Sequence, residues 1–152
     1  MAGCQVEYGE ERLHQFVRAI EALIKPEEGK TTKQFAYRTQ TFVRSGSTLA
    51  EDLKEIFKLR CAAVHLNEFE GVLDGYPACD RERIAALRVF QAESIAHTAY
   101  ARILGKPDLL QNFIDDNSIN AFWQVPDDRT RRQSWGEPLD LAAEETDHFR
   151  WH

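Results

Sequence analysis

Leu49-Ala50-Glu51-Asp52-Leu53-Lys54-Glu55-Ile56-Phe57-Lys58-Leu59-Arg60-Cys61-Ala62-Ala63-Val64-His65 contains neither proline nor glycine, and Leu49, Leu53, Ile56 and Val64 recur along it at helical spacing. Glu51, Lys54, Glu55 and Lys58 fall on the other side, which makes this an amphipathic helix, expected to start at Thr48 and reach about Leu66. Arg60 breaks the pattern. It lies seven residues from Leu53 and four from both Ile56 and Val64, inside the apolar stripe. An unpaired guanidinium buried there would cost several kcal/mol, so Arg60 needs an acidic partner, a wet groove or a subunit interface. Glu93, itself on an apolar stripe, is the candidate partner.

The segments on either side have the same character. Leu13, Phe16, Val17, Ile20 and Ile24 form one stripe opposite His14, Arg18 and Glu21, and the pattern stops at Lys25-Pro26-Glu27-Glu28-Gly29. A second helix is expected from Thr31-Thr32 through Phe35, Phe42 and Val43 to Ser45-Gly46-Ser47. After a loop at Asp74-Gly75 and Tyr76-Pro77, the longest helix is expected to be capped by Asp80. It runs through Ile84, Leu87, Val89, Phe90, Ile95, Tyr100, Ile103 and Leu104 to a stop at Gly105. Its apolar residues cover more than one face, so it belongs at the centre. Two short helices are expected around 108–114 and 118–123. Sustained two-residue alternation is missing, so no strand is expected. These signals predict an all-α fold, a helical bundle of four to five main helices over residues 1–125, followed by an irregular C-terminal arm at 126–152.

Bulk properties narrow the function. The 152 residues carry a net charge of -6, which argues against general coating of DNA, since non-specific affinity comes from neutralising phosphates. Residues 1–70 are nearly neutral, with ten Lys/Arg against eleven Asp/Glu, so a local basic site has room there. Cys4, Cys61 and Cys79 are an odd number without CxxC spacing, which indicates neither a disulfide framework nor a zinc site, and suits a reducing cytoplasm. No leader is read before the first helix, and no run approaches the ~18 apolar residues of a membrane span. Glu93 and His97 stand four apart, as metal ligands on a helix do. No second such pair accompanies them, so a hydrogen-bonded interior pair is the expectation and a ferritin-like metal site is disfavoured.

Arg60 and His65 are the candidate catalytic residues. An imidazole with an ordinary pKa near ~6.5 takes and gives protons at neutrality, and a guanidinium binds a phosphate with a fixed fork of donors. Together they suffice for metal-free cleavage of RNA, in which the 2'-OH attacks the adjacent phosphorus. On a regular helix the two side chains diverge by about 140°. A distortion near Cys61, or a second subunit across a two-fold axis, is therefore needed to bring them to one phosphate. Lys54 and Lys58 add positive potential on the His65 side. Lys30, Lys33, Arg38 and Arg44 are spaced to follow an RNA backbone, with Tyr37 as a stacking platform, although a solvated helix face is the plainer reading.

Leu59-Arg60-Cys61-Ala62-Ala63-Val64-His65 resembles the Arg-x4–6-His motif of HEPN domains, the higher eukaryote and prokaryote nucleotide-binding helical bundles. Phe16-Val17-Arg18-Ala19-Ile20-Glu21-Ala22-Leu23-Ile24, followed by Gly29-Lys30-Thr31-Thr32-Lys33-Gln34-Phe35 and Arg38, resembles the opening of the Apea-like branch. The likeness spans residues 10–110. It implies a helical bundle, usually a homodimer, that in many members is a metal-independent endoribonuclease of toxin–antitoxin, abortive-infection or CRISPR-linked defence. RNA or a nucleotide would be its ligand and an antitoxin a further partner, with no cofactor. Cys61 and Glu93 would support the site, although Cys61 stands where the family commonly has a polar residue. Other HEPN domains are catalytically inactive binding modules, and that is the alternative function.

Overall fold

Of the stripe read from the first segment, Leu13, Val17, Ile20 and Ile24 are wholly buried along helix α1 (Ala2–Ile24) and Phe16 is partly buried. The computed structural model describes residues 2–44, 46, 48–64 and 69–149. After α1 come α2 (Thr31–Thr39), α3 (Leu49–Val64), the single turn α4 (Phe69–Val72) and the long α5 (Ala78–Gly105). Shorter pieces follow: α6 (Pro107–Leu110), a 3-10 turn at Gln111–Phe113, α7 (Asp116–Gln124), α8 (Asp128–Trp135) and α9 (Leu141–Phe149). The chain is an all-α helical bundle. Among the described residues no helix is long and apolar enough to cross a membrane.

The central place expected of the longest helix belongs to α1, which meets α2, α3, α5 and α7, while α5 buries Ile84, Val89, Ala92, Ile95, Ala96, Ala99 and Ile103. It runs parallel to α1 in a fixed register. Arg12 pairs with Glu93, Phe16 meets His97 edge-on at 5.3 Å, and the Tyr100 hydroxyl donates to the Ala19 carbonyl at 3.0 Å. α3 and α2 pack against the other side of α1, joined by Phe35 and Phe57 at 5.2 Å.

Several boundaries differ from expectation. α2 ends at Thr39, and Phe42 and Val43 leave the helix because Val43 forms a parallel bridge with Leu139. The Leu139 N–H donates to the Phe42 carbonyl at 2.9 Å, and the Arg44 N–H to the Leu139 carbonyl at 2.8 Å. α5 starts at Ala78 behind Pro77, so Asp80 sits in its first turn and is not its cap. The arm expected to be irregular instead forms α8 and α9. Asp127 accepts from the Arg129 N–H to start α8, and Gly136, at φ 92°, ends it in a conformation that side chains disfavour. Trp135 at the end of α8 is 1% exposed and stacks on Phe42 at 4.2 Å. α8 buries only Arg131 and Trp135, and a single apolar residue in eight leaves no period to read.

Candidate functional site

Arg60 reaches the surface where α1, α2 and α3 meet. Its guanidinium lies over the Phe57 ring at 5.7 Å, and its Nη2 donates to Glu21 of α1 at 3.0 Å. The Arg60 and Glu21 side chains are 21% and 19% exposed, half sheltered and still wetted. Arg60 Nε is buried with no hydrogen-bond partner. The expected partner, Glu93, is taken by Arg12. The reason is register: Arg12 precedes Glu21 by nine residues, about 13 Å along α1, and Glu93 lies level with Arg12. Glu21 sits at the edge of the α1 stripe and not opposite it.

An open groove of about 560 Å³ lies over Arg60, lined also by Glu21, Gly29, Lys30, Thr31, Thr32, Lys33, Phe57 and Cys61. Gly29, at φ 80°, makes the left-handed turn that carries the chain into α2. Among the described residues no side chain caps the start of α2, so its first backbone N–H groups and the positive end of its dipole face the groove. Lys30 pairs with Glu27 at 2.9 Å, and that hydrogen bond, with one from Gln34, holds the Glu27 carboxyl below its ordinary range. Three cations, one fixed carboxylate and a helix N-terminus thus surround one opening, an arrangement that takes an anion.

The other candidates are scattered. Lys33 and Cys61 line the groove. Arg38 does not: its Nη1 donates to the Ile24 and Lys25 carbonyls at 2.6 and 2.7 Å, closing the C-terminus of α1. Burial lowers its pKa, which the nearby Glu27 opposes. This corrects its expected place along a bound RNA. Lys54 pairs with Glu51 at 2.7 Å, and Lys58 is exposed about 200° around α3 from Arg60, so neither adds to the groove. His97 is exposed against Phe16, which overturns the expected interior pair with Glu93. His65, the expected general acid–base, and Leu66 lie outside the described residues, as does His152.

A deeply held charge that the periodicity missed lies on α5. Arg88 on α5 is 4% exposed, and donates to Glu55 and Asp52 at 2.8 Å each, to Gln91 at 2.9 Å and to the Tyr76 hydroxyl at 3.3 Å. Burial works against its charge, but Glu55 and Asp52 outweigh it and hold its pKa above the ordinary value. Gln91 passes the network on to Glu145 of α9 at 2.6 Å. Arg88, like Arg131 with Asp128 on α8, is thus a buried, salt-bridged arginine, while Arg60 faces a groove. The signal was there: Asp52 and Glu55 share one side of α3, and an acidic pair beside a core stripe calls for a cation from the next helix. Comparison with protein-family models, with curated proteins and with solved structures finds no match to this chain.

Proposed function

We propose that the chain is a HEPN-type endoribonuclease that seats an RNA phosphate in the groove over Arg60 and uses His65 as general acid–base. The observation that supports this reading is the convergence of Arg60, Lys30, Lys33 and the uncapped start of α2 on one open groove. The 2'-OH would attack the adjacent phosphorus while the bond to the 5' oxygen breaks, leaving a 2',3'-cyclic phosphate and a 5'-OH. A proton leaves the 2'-OH and one reaches the departing oxygen, the exchange an imidazole performs near neutrality. Arg60 would hold the charge that builds on the non-bridging oxygens. DNA, without the 2'-OH, would bind and stay intact. The enzyme would act as a homodimer, with a second Arg60 and His65 across the two-fold axis, in a defence or toxin–antitoxin setting with an antitoxin as partner.

One observation favours the second reading, a silent RNA- or nucleotide-binding module. Glu21 already neutralises Arg60, and the thiol of Cys61 beside it orients a phosphate poorly. Labelled RNA incubated in EDTA with wild type, His65→Ala and Arg60→Ala separates the two. The enzyme reading expects cyclic-phosphate ends from wild type and at least about a hundredfold less from His65→Ala. RNA that binds through Arg60 and stays whole supports the module. RNA that neither binds nor breaks contradicts both.

A further inference from the structure

Tyr37 is 52% exposed, unusually open for a large aromatic side chain. It sits on α2 four residues after Lys33, and buried Phe35, Ala36 and Thr39 mark the opposite side of that helix. At about 100° per residue, Lys33 and Tyr37 lie within about 40° of each other and about 6 Å apart along the axis. Lys33 lines the Arg60 groove, and Tyr37 follows it one helical turn further along the exposed side of α2. That separation is within the reach of a base from its own phosphate.

The ring is also held. Arg131 of α8 donates from Nη2 to the Tyr37 hydroxyl at 3.3 Å, and Arg131 is itself 5% exposed, fixed by Asp128 at 2.9 Å and by the Val125 carbonyl. An exposed tyrosine anchored at its hydroxyl loses little entropy when something stacks on it. Its electron-rich face is sequence-tolerant, since every base offers a π-surface.

We propose that Tyr37 is the stacking platform for an unpaired base of single-stranded RNA whose phosphate lies against Lys33 and Arg60. This rests on the groove reading given above and adds to it the residue that holds the base, since a base inside a duplex cannot reach the ring.

The test uses the full chain and two short oligonucleotides with 2'-O-methyl sugars, which cannot be cleaved: one of uridines, and one with the same number of phosphates but abasic sugars. Fluorescence anisotropy should show wild type binding the base-bearing strand about tenfold more tightly than the abasic one. Tyr37→Ala should bind both at the abasic level, and Tyr37→Phe should keep most of the preference. Arg60→Ala should weaken both strands alike. If abasic binding also falls in Tyr37→Ala, that variant is misfolded and Tyr37→Leu, which fills the same space without a π-face, takes its place. A preference that survives loss of the ring, or no preference in wild type, overturns the stacking role and leaves the groove standing. No binding of either strand overturns the groove reading and this one with it.

Discussion

Arg60 keeps its charge against one carboxylate and one ring face, with Nε unpartnered, and the consequences are testable one side chain at a time. Glu21→Gln removes the anion that competes with a bound phosphate, and RNA affinity measured by anisotropy should rise about fivefold at low salt. Arg60→Ala should lose at least about tenfold in affinity, and it leaves Glu21 half buried without its partner. Urea unfolding should then show a loss of about 1–3 kcal/mol, most of it recovered in the double variant Arg60→Ala with Glu21→Gln. Arg60 was legible in the sequence as a charge inside an apolar stripe. Its partner was not, because a choice between Glu21 and Glu93 depends on the parallel register of α1 and α5, which no local pattern encodes. Arg88 went unread for the converse reason: its position in α5 is surrounded by apolar residues on several faces, so no single stripe marked it as buried.

Helix ends show how the groove is kept in place. Three hydrogen bonds from two side chains close the C-terminus of α1: Arg38 Nη1 onto the Ile24 and Lys25 carbonyls, and Trp123 Nε1 onto the Leu23 carbonyl at 2.8 Å. Arg38→Met keeps the stem and removes these bonds, so it should cost about 1.5–3 kcal/mol in urea unfolding while leaving RNA affinity within twofold. A large loss of affinity at unchanged stability would return Arg38 to the binding surface. Asp115 and Asp127 cap α7 and α8, and their carboxyls are held below the ordinary 3.8 by the Ser118 backbone N–H and by the Thr130 hydroxyl, respectively. A lowered folded-state pKa gives stability that is present above 3.8 and is lost as the pH falls through the folded value. The melting temperature should therefore fall as the pH drops below about 4, and fall less steeply in Asp115→Asn with Asp127→Asn. A slope unchanged by that pair of substitutions would place the acid sensitivity elsewhere.

Across the whole molecule, the described part of the C-terminal segment belongs to the bundle. Trp135 fills a site against Phe42, the cation of Arg102 lies 5.4 Å above its ring, and Leu139 and Leu141 are buried. Trp135→Ala should cost about 3–5 kcal/mol and lower the melting temperature by about 10 °C. A chain ending at residue 125 should melt lower still, whereas an unchanged melting temperature would make the segment the arm that its composition suggests. The four main helices were readable because each repeats its apolar residues every three or four positions. α8 was not, because a single tryptophan anchors it. Side-chain NMR reads whether an RNA phosphate sits over Arg60. Uniformly 15N-labelled protein would be titrated with a 2'-O-methyl RNA, following the Arg60 Nε–H signal, assigned by its absence in Arg60→Lys. With phosphate bound there, this signal should shift to saturation, at lower RNA concentration in Glu21→Gln. A signal that stays in place at saturating RNA would contradict phosphate binding there.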